Sequence, residues 1–265
     1  MKYRGIVIFL LLCQQNTIQT KSSVASYIKS FFSSEEPSQK IIHKEYKRVD
    51  NLNITHTSGN IIIQTWKQKS VALEIVHEGS EEFIEKSHVA IQQFDQTLNI
   101  TNDLKSKSSN YTDLHIIIPE TTAVTINLEN GDINISQSNG NLDLYTEQGD
   151  IQINQGENSL AAKTSKGNIT LYREKNNHGA KIALTAEKGN LFLYTTETSN
   201  LDISAQTLKG KVTSTIPLTL HPITIELNSK NISELERNVS GFIGKALFKT
   251  ELFCYTGNIQ IEPYI

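Results

Sequence analysis

The chain has 265 residues, enough for one sizeable hydrophobic core or two small ones. Its 25 basic and 28 acidic side chains give a formal net charge of -3, so the charge offers no electrostatic reason to expect nucleic acid or another polyanion as a partner. Hydrophobic residues make up 37%, below the usual share of about 45 to 50%. A thin core with many polar turns, as in a long and narrow molecule, fits this composition better than a globule.

The N-terminus has the pattern of a secretory signal peptide. Two positive charges precede an apolar run from Ile6 to Cys13, and a polar stretch follows. The run is shorter than the roughly 20 residues that span a bilayer, which favours a cleaved signal over a retained anchor. Lipidation of Cys13 is disfavoured because Leu12, and not a small residue, precedes it. We predict a signal peptide at 1–20 and an exported protein, located in the periplasm, the cell envelope or the extracellular space.

The next segment, residues 21–45, is predicted to be a linker. Its apolar residues at helical spacing are Val24, Tyr27, Ile28, Phe31 and Phe32. One interpretation is a short amphipathic helix that makes a peripheral membrane contact or docks on a partner, and the other is a partly ordered tether. The remainder, residues 46–265, is predicted to form one β domain.

Alternating apolar and polar residues dominate from residue 41 onward. Residues 52–54 and 71–75 are examples, and this alternation is typical of half-buried strands. The stretch 80–94 is ambiguous, because its residues suit either a helix or a loop that leads into strands at 89–91 and 98–100.

A short unit repeats along the second half of the chain: Gly, then Asp or Asn, then two apolar residues separated by one other residue. It occurs at 131–135, 140–144, 149–153, 167–171, 189–193 and 257–261. A sharp corner between strands needs a residue at positive φ, which glycine adopts without steric cost. We therefore expect corners at Gly131, Gly140, Gly149, Gly167, Gly189 and Gly257, with the adjoining Asn or Asp bonding neighbouring backbone groups.

The spacing of these units predicts stacked coils. The first inward apolar residue recurs every nine residues from Ile133 to Ile169, and the units at 149, 167 and 189 would stack in coils of about 18 to 22 residues. Burial of the aliphatic side chains of one coil contributes about 10 kcal/mol. Ordering the backbone and side chains of the coil costs on the order of 20 to 40 kcal/mol. A single coil is therefore unstable and needs neighbouring coils to stack on. We predict an all-β, single-stranded β-solenoid, resembling a β-helix, with Gly-Asn/Asp corners. An antiparallel meander is the alternative, because nine-residue spacing also suits hairpins.

No arrangement of residues supports catalysis, a metal site or a cofactor. The seven histidines lack metal-ligand spacing, and the nucleophile elbow, the P-loop and the dinucleotide fingerprint are absent. Asp132 and Asp150 invite comparison with calcium-binding β-rolls, yet Asn takes that position in other units, which favours a corner role. Cys254 is interpreted as a small core residue. We expect no catalytic residue and no cofactor.

One outward face is the candidate binding surface. If the apolar residues of the 167 and 189 units point inward, Tyr172, Phe192 and Tyr194 point outward, one coil apart. An exposed aromatic strip would suit a glycan or an envelope protein as partner. The alternative is an aromatic ladder that only stabilises adjacent strands.

The order of the motifs resembles a known group. SGNIII at 58–63 is followed by Trp66, then IIIPETTAVTI at 116–126, the central Gly-Asp/Asn-Ile units and a closing YTGNIQIE at 255–262. In this order they resemble the putative adhesin family, an exported bacterial domain of unknown function, from about residue 45 to 265. The resemblance implies a β-solenoid at the cell envelope with a role in surface structure, adhesion or envelope response, and it supplies no catalytic residues. The repeat lapses in the segment 213–256.

These observations predict a non-enzymatic structural or adhesin-like interaction module of the envelope or the extracellular space. Two alternatives stay open. A carbohydrate-active β-helix enzyme would gather acidic and basic side chains in a groove along the coils. An envelope-stress sensing component would use the N-terminal helix to dock on a membrane partner.

Overall fold

A computed structural model describes residues 39–103, 110–154, 157–174, 179–222 and 235–264. In these residues the fold is nearly all-β, with 21 strands and one short helix, α1 (Glu81–Lys86). The strands are β1 (Gln39–Lys47), β2 (Asn51–Ser58), β3 (Ile61–Trp66), β4 (Ser70–Glu78), β5 (Ala90–Phe94), β6 (Thr97–Asn102), β7 (Tyr111–Pro119), β8 (Ala123–Asn130), β9 (Ile133–Ser136), β10 (Leu142–Gln148), β11 (Ile151–Asn154), β12 (Leu160–Lys166), β13 (Ile169–Arg173), β14 (Ile182–Lys188), β15 (Leu191–Thr195), β16 (Leu201–Lys209), β17 (Val212–Ser214), β18 (Thr219–Leu220), β19 (Asn238–Phe242), β20 (Phe248–Thr256) and β21 (Ile259–Pro263).

The strands form two sheets whose order differs from the chain order. Sheet I has ten strands in the order β1-β4-β7-β3-β9-β11-β13-β15-β21-β17. Sheet II has eleven, in the order β18-β19-β16-β20-β14-β12-β10-β8-β2-β6-β5. In the central part, each rung consists of one strand in sheet II, a glycine corner and one strand in sheet I.

Parallel pairing between successive rungs makes the molecule a β-solenoid. Leu142 pairs with Leu160 in sheet II, and Ile151 pairs with Ile169 in sheet I, both in parallel. Equivalent residues of the repeated unit therefore lie directly above one another, as the spacing predicts. The predicted fold class is confirmed, and the antiparallel meander is wrong for these strands.

The core lies between the two sheets and is built from the alternating apolar positions. The first apolar residues of the sheet I strands form one inward column, and each is at most 1% exposed: Ile61, Ile133, Ile151, Ile169, Leu191 and Ile259. Alternation with period two places every second residue of a strand on the outer surface. The sequence pattern thus fixes which side chains can meet a partner.

The glycine corners are backbone contacts between rungs. Gly149 has φ +152, and a Cβ built there would lie 1.9 Å from the carbonyl oxygen of Gly131 in the preceding rung. Gly140 differs from the expectation of positive φ. Its backbone lies in the ordinary range, and glycine is required there because a Cβ would lie 1.9 Å from the carbonyl oxygen of Thr122.

Gly149→Ala should destabilise the solenoid by about 2 kcal/mol or more, because the methyl group meets a backbone oxygen that other rungs hold in place. Gly179→Ala is the matched control, since Gly179 also has positive φ, +80, but its Cβ would meet nothing within 4 Å. Urea denaturation of both variants measures the difference. Equal losses of stability would show that the φ value alone, and not the close approach, makes glycine necessary.

A column of Asn and Asp side chains runs along the same corner. The Asp132 Oδ1 accepts the backbone N–H of Asp150 at 2.8 Å, and the Asp150 Oδ1 accepts that of Asn168 at 2.7 Å. The pattern continues through Asn190 to Asn258 at 2.9 and 2.8 Å. The backbone N–H bonds need only the Oδ1 acceptor that Asn and Asp share, so either residue type serves at this position. Asn168 and Asn190 in addition donate their Nδ2 to the Oδ1 of the preceding residue in the column, at 3.2 and 3.3 Å.

Both ends of the solenoid depart from simple coiling. At the N-terminal end, β1, β4 and β7 pair antiparallel in sheet I, and β5 pairs antiparallel with β6 in sheet II. The ambiguous stretch 80–94 contains α1, whose N-cap is Ser80, followed by β5. Since β1 begins at Gln39, the sheet starts before the predicted boundary at residue 45, whereas residues 1–38, with the predicted signal peptide, lie outside the described residues.

At the C-terminal end, the last two strands are inserted between rungs that precede them in the chain. Strand β20 lies between β14 and β16, and β21 lies between β15 and β17. The segment 213–256, where the repeat lapses, thus leaves the stack through the antiparallel strands β18 and β19 and returns to it with β20.

Candidate interaction surface

The predicted aromatic strip lies on the outer surface of sheet I. Tyr172 on β13 pairs in register with Tyr194 on β15, and Phe192 lies two residues before Tyr194 on the same face. All three side chains are half-buried. The structure therefore brings the three residues together on one surface.

Tyr172 and Tyr194 stack on each other. Their ring centroids are 4.6 Å apart with an interplanar angle of 9°. Such a pair contributes roughly 0.5 to 1.5 kcal/mol beyond the area that it buries. Each ring covers one face of the other, and such a contact between adjacent strands is what the aromatic ladder would provide.

Two residues next to the strip were missed in the sequence. Tyr264 makes an edge contact with Tyr172, with centroids 6.1 Å apart, and Glu262 pairs in register with Tyr194. Burial, followed by the nearby Glu262 carboxylate, raises the pKa of the Tyr194 hydroxyl. The closing GNIQI unit is the sequence feature that could have indicated them, but its position beside β15 is not evident from the chain order.

Arg173 follows Tyr172 in the strand and points into the solenoid, where it is fully buried. Its guanidinium donates to the carbonyl oxygens of Glu157 and Asn158 at 2.6 and 2.9 Å. Burial lowers the pKa of Arg173 to about 10, so the group stays charged at neutral pH. The arginine ties the turn before β12 to the strand that carries Tyr172.

A histidine cluster lies inside the N-terminal end of the solenoid. The His56 Nε2 is 2.6 Å from the carbonyl oxygen of Thr112, and the His77 Nδ1 is 2.9 Å from the hydroxyl of the same residue. Both imidazoles are at most 1% exposed. Burial lowers the pKa of each to about 4, so both are neutral at physiological pH and act as structural hydrogen-bonding groups.

A second cluster of titratable side chains lies on the outer surface of the same end. Glu74 is buried between His115, whose Nδ1 is 3.0 Å from one carboxylate oxygen, and His43, whose Nδ1 is 3.4 Å from the other. The two imidazoles contact different oxygens of the same carboxylate. Within the described residues, no three His, Cys, Asp or Glu side chains come together in an arrangement that could hold a metal ion.

Cys254 occupies a position that threonine takes in other rungs. Its Sγ is 3.0 Å from the carbonyl oxygen of Gly189, as the Thr146 and Thr164 hydroxyls are 3.1 and 3.0 Å from the carbonyls of the glycines in their neighbouring rungs. Burial raises the pKa of the thiol.

In the described part of the chain, no helix is long and apolar enough to cross a bilayer.

Comparisons with solved structures find chains that align with most of this one. Among solved structures, a protein described as a putative cell adhesion protein from Clostridium sporogenes is 14% identical, with a TM-score of 0.52 over 85% of this chain and 100% of that chain. A putative adhesin from Bacteroides fragilis is 16% identical, with a TM-score of 0.40 over 87% of this chain and 100% of that chain. At 14% identity the first likeness shows the fold alone.

No match is found among curated proteins. The family model described as Toastrack DUF4097 matches residues 13–262. This range contains every strand of the solenoid except the final proline of β21. The chain belongs to the Toastrack DUF4097 family.

Proposed function

We propose that the protein is a non-enzymatic, adhesin-like interaction module, exported to the envelope or the extracellular space, that binds its partner with the outer surface of sheet I. The observation that carries the proposal is the strip of Tyr172, Phe192 and Tyr194 on a broad parallel sheet. Aromatic side chains with polar tips are enriched at protein interaction sites. One solved structure of the same fold is described as a putative cell adhesion protein, which suits this class of function.

The enzyme alternative would need acidic and basic side chains gathered in a groove. On the outward positions of the described sheet I strands from β9 to β21, Glu262 is the one carboxylate. A pair of carboxylates flanking a scissile bond, as glycoside hydrolysis requires, is not formed there. The envelope-stress alternative depends on residues 21–38, outside the described part, and stays a prediction.

Replacing Tyr172, Phe192 and Tyr194 together with Ser should weaken binding to envelope fractions or to arrayed glycans by at least about tenfold, because central aromatic side chains dominate binding energy. The full chain is tested by pull-down and glycan array. Thermal unfolding followed by circular dichroism checks that the variant stays folded, since it loses the half-buried ring area in addition to the stack, which contributes about 1 kcal/mol.

The matched control replaces three outward aromatic residues of sheet II, Tyr145, Phe253 and Tyr255, with Ser. This variant removes a similar aromatic area from the opposite surface and should bind like the wild type. Equal binding by the sheet I variant and the wild type would contradict the proposal, as would an equal loss in both variants.

A further inference from the structure

The outer surface of sheet I carries the Glu74, His43 and His115 cluster on β4, β1 and β7, but the part from β3 to β17 in the strand order is almost free of charge. Its outward residues form two rows across the parallel strands: Ile62, Asn134, Gln152, Thr170, Phe192, Gln260 and Thr213 in one, and Gln64, Ser136, Asn154, Tyr172, Tyr194 and Glu262 in the other. Glu262, at one end, is the single charged member. The outer surface of sheet II differs, because it carries the ion pairs Lys163–Glu187 and Lys249–Glu251.

On the strands of this surface from β9 to β21, four side-chain amides are available to an outside partner. Asn134, Gln152, Asn154 and Gln260 make no side-chain hydrogen bond to any part of the chain that the structure describes. Amides elsewhere are already used, as in the Asn53–Asn99 pair of sheet II, where Nδ2 donates to Oδ1 at 2.9 Å. Each free amide offers two N–H donors and one carbonyl acceptor.

We propose that the ligand of this surface is a neutral polysaccharide that lies across β9 to β21 and bonds the free amides through its hydroxyl groups. A sugar hydroxyl both donates and accepts, which matches the mixed capacity of an amide. The hydroxyls of Tyr172 and Tyr194 and the ring of Phe192 add polar and apolar contacts of the kind that ligand sites combine. The inference rests on the proposed function, because it names the ligand class for the same surface.

Charge argues against an anionic ligand. Proteins bind polyanions through Lys and Arg side chains, and the affinity falls as the salt concentration rises. The two rows contain neither residue, and Glu262 would repel a carboxylate or a sulfate. A neutral, hydroxyl-rich polymer has no such cost.

A folded protein partner is also a poorer match. Protein interfaces depend on a central cluster of apolar and aromatic anchors that enter pockets. Here the two tyrosines cover each other's faces, and Phe192 and Ile62, at separate places in the row, are the apolar side chains left. Apart from the one group of Tyr172, Phe192 and Tyr194, the surface offers hydrogen bonds spread over many strands, and it lacks the further apolar anchors of a protein interface.

The test is affinity electrophoresis of the full chain in gels that contain soluble neutral polysaccharides, such as a glucan or a mannan, or carboxylated and sulfated ones. We expect retardation by at least one neutral polymer, unchanged between about 0.05 and 0.5 M salt, since no ion pair is screened. The double variant Gln152→Ala, Asn154→Ala should bind roughly tenfold more weakly, because two hydrogen bonds are lost.

The matched control is Asn127→Ala, Gln206→Ala on sheet II, which removes two exposed amides from the opposite surface and should leave retardation unchanged. Salt-sensitive binding to anionic polymers alone, no binding to any neutral polymer, or full binding by the sheet I double variant would each overturn the inference. If the aromatic variant loses envelope binding while no neutral polysaccharide binds, the ligand class is wrong and the proposed function stands. If the wild type binds no envelope fraction and no glycan, both fail.

Discussion

Deleting residues 248–265 should unfold the C-terminal end of the solenoid. The deletion removes β20 and β21, which pair on both sides, and with them Cys254 and four large buried apolar side chains: Phe248, Leu252, Ile259 and Ile261. At roughly 1.5 to 3 kcal/mol each, these side chains contribute about 10 kcal/mol. A loss of this size is comparable to the whole stability of a typical domain, about 5 to 15 kcal/mol.

Hydrogen exchange measured by mass spectrometry locates the effect. We expect the amides of β16 and β17 to lose protection, because their pairing partners are gone, while the central rungs from β9 to β13 keep more of theirs, as nearest-neighbour stacking allows. The control is Tyr255→Ser in β20, where an exposed side chain is changed and the strand is kept. Undiminished protection of β16 in the truncated chain would contradict the prediction, since it would mean that β16 pairs directly with β14.

Acid should destabilise the protein through His56 and His77. Each has a pKa of about 4 in the folded protein against about 6.5 when exposed, so the unfolded chain binds protons first as the pH falls. The stability that the neutral imidazoles allow is therefore complete above pH 6.5 and is lost as the pH falls toward 4. For His56, 1% exposed, the shift corresponds to about 3 kcal/mol, and His77 adds to the loss in the same direction.

Urea denaturation between pH 4 and 7 measures this slope. The double variant His56→Gln, His77→Asn keeps hydrogen-bonding groups near the positions of the Nε2 and Nδ1 atoms but cannot be protonated, so its stability should vary less with pH. The control is His221→Gln, because that histidine is 40% exposed and its pair with Asp202 lies at the surface. If the double variant kept the full wild-type slope, buried carboxylates and not these imidazoles would be responsible.

The sequence predicts the central rungs well because their information is local. A glycine at each corner and two apolar residues two positions apart are visible in every unit, and the 18-residue step from Gly131 to Gly149 is repeated to Gly167. Once the coil length is known, Tyr172 must lie beside Tyr194, so the aromatic strip is predicted from the same spacing.

The insertion of β20 and β21 could not be predicted in this way. The units that begin at Gly210 and Gly257 both suit the place beside β15, and neighbours in the chain are usually neighbours in a sheet. The choice depends on packing between distant segments. Tyr264 and Glu262 were missed for the same reason, because they reach the strip only when β21 lies next to β15.

The crossed order of rungs at both ends leaves only the middle of the solenoid free to change in length. Rung β2–β3 is held between β6–β7 and β8–β9, and rung β20–β21 between β14–β15 and β16–β17, so an added repeat at either end would have to break existing pairs. Duplication of a whole unit, such as residues 149–166, would disturb neither end. It would add two more outward side chains to sheet I. Gene-level repeat expansion could therefore widen the contact surface in steps of one strand while the parts that close the fold stay the same.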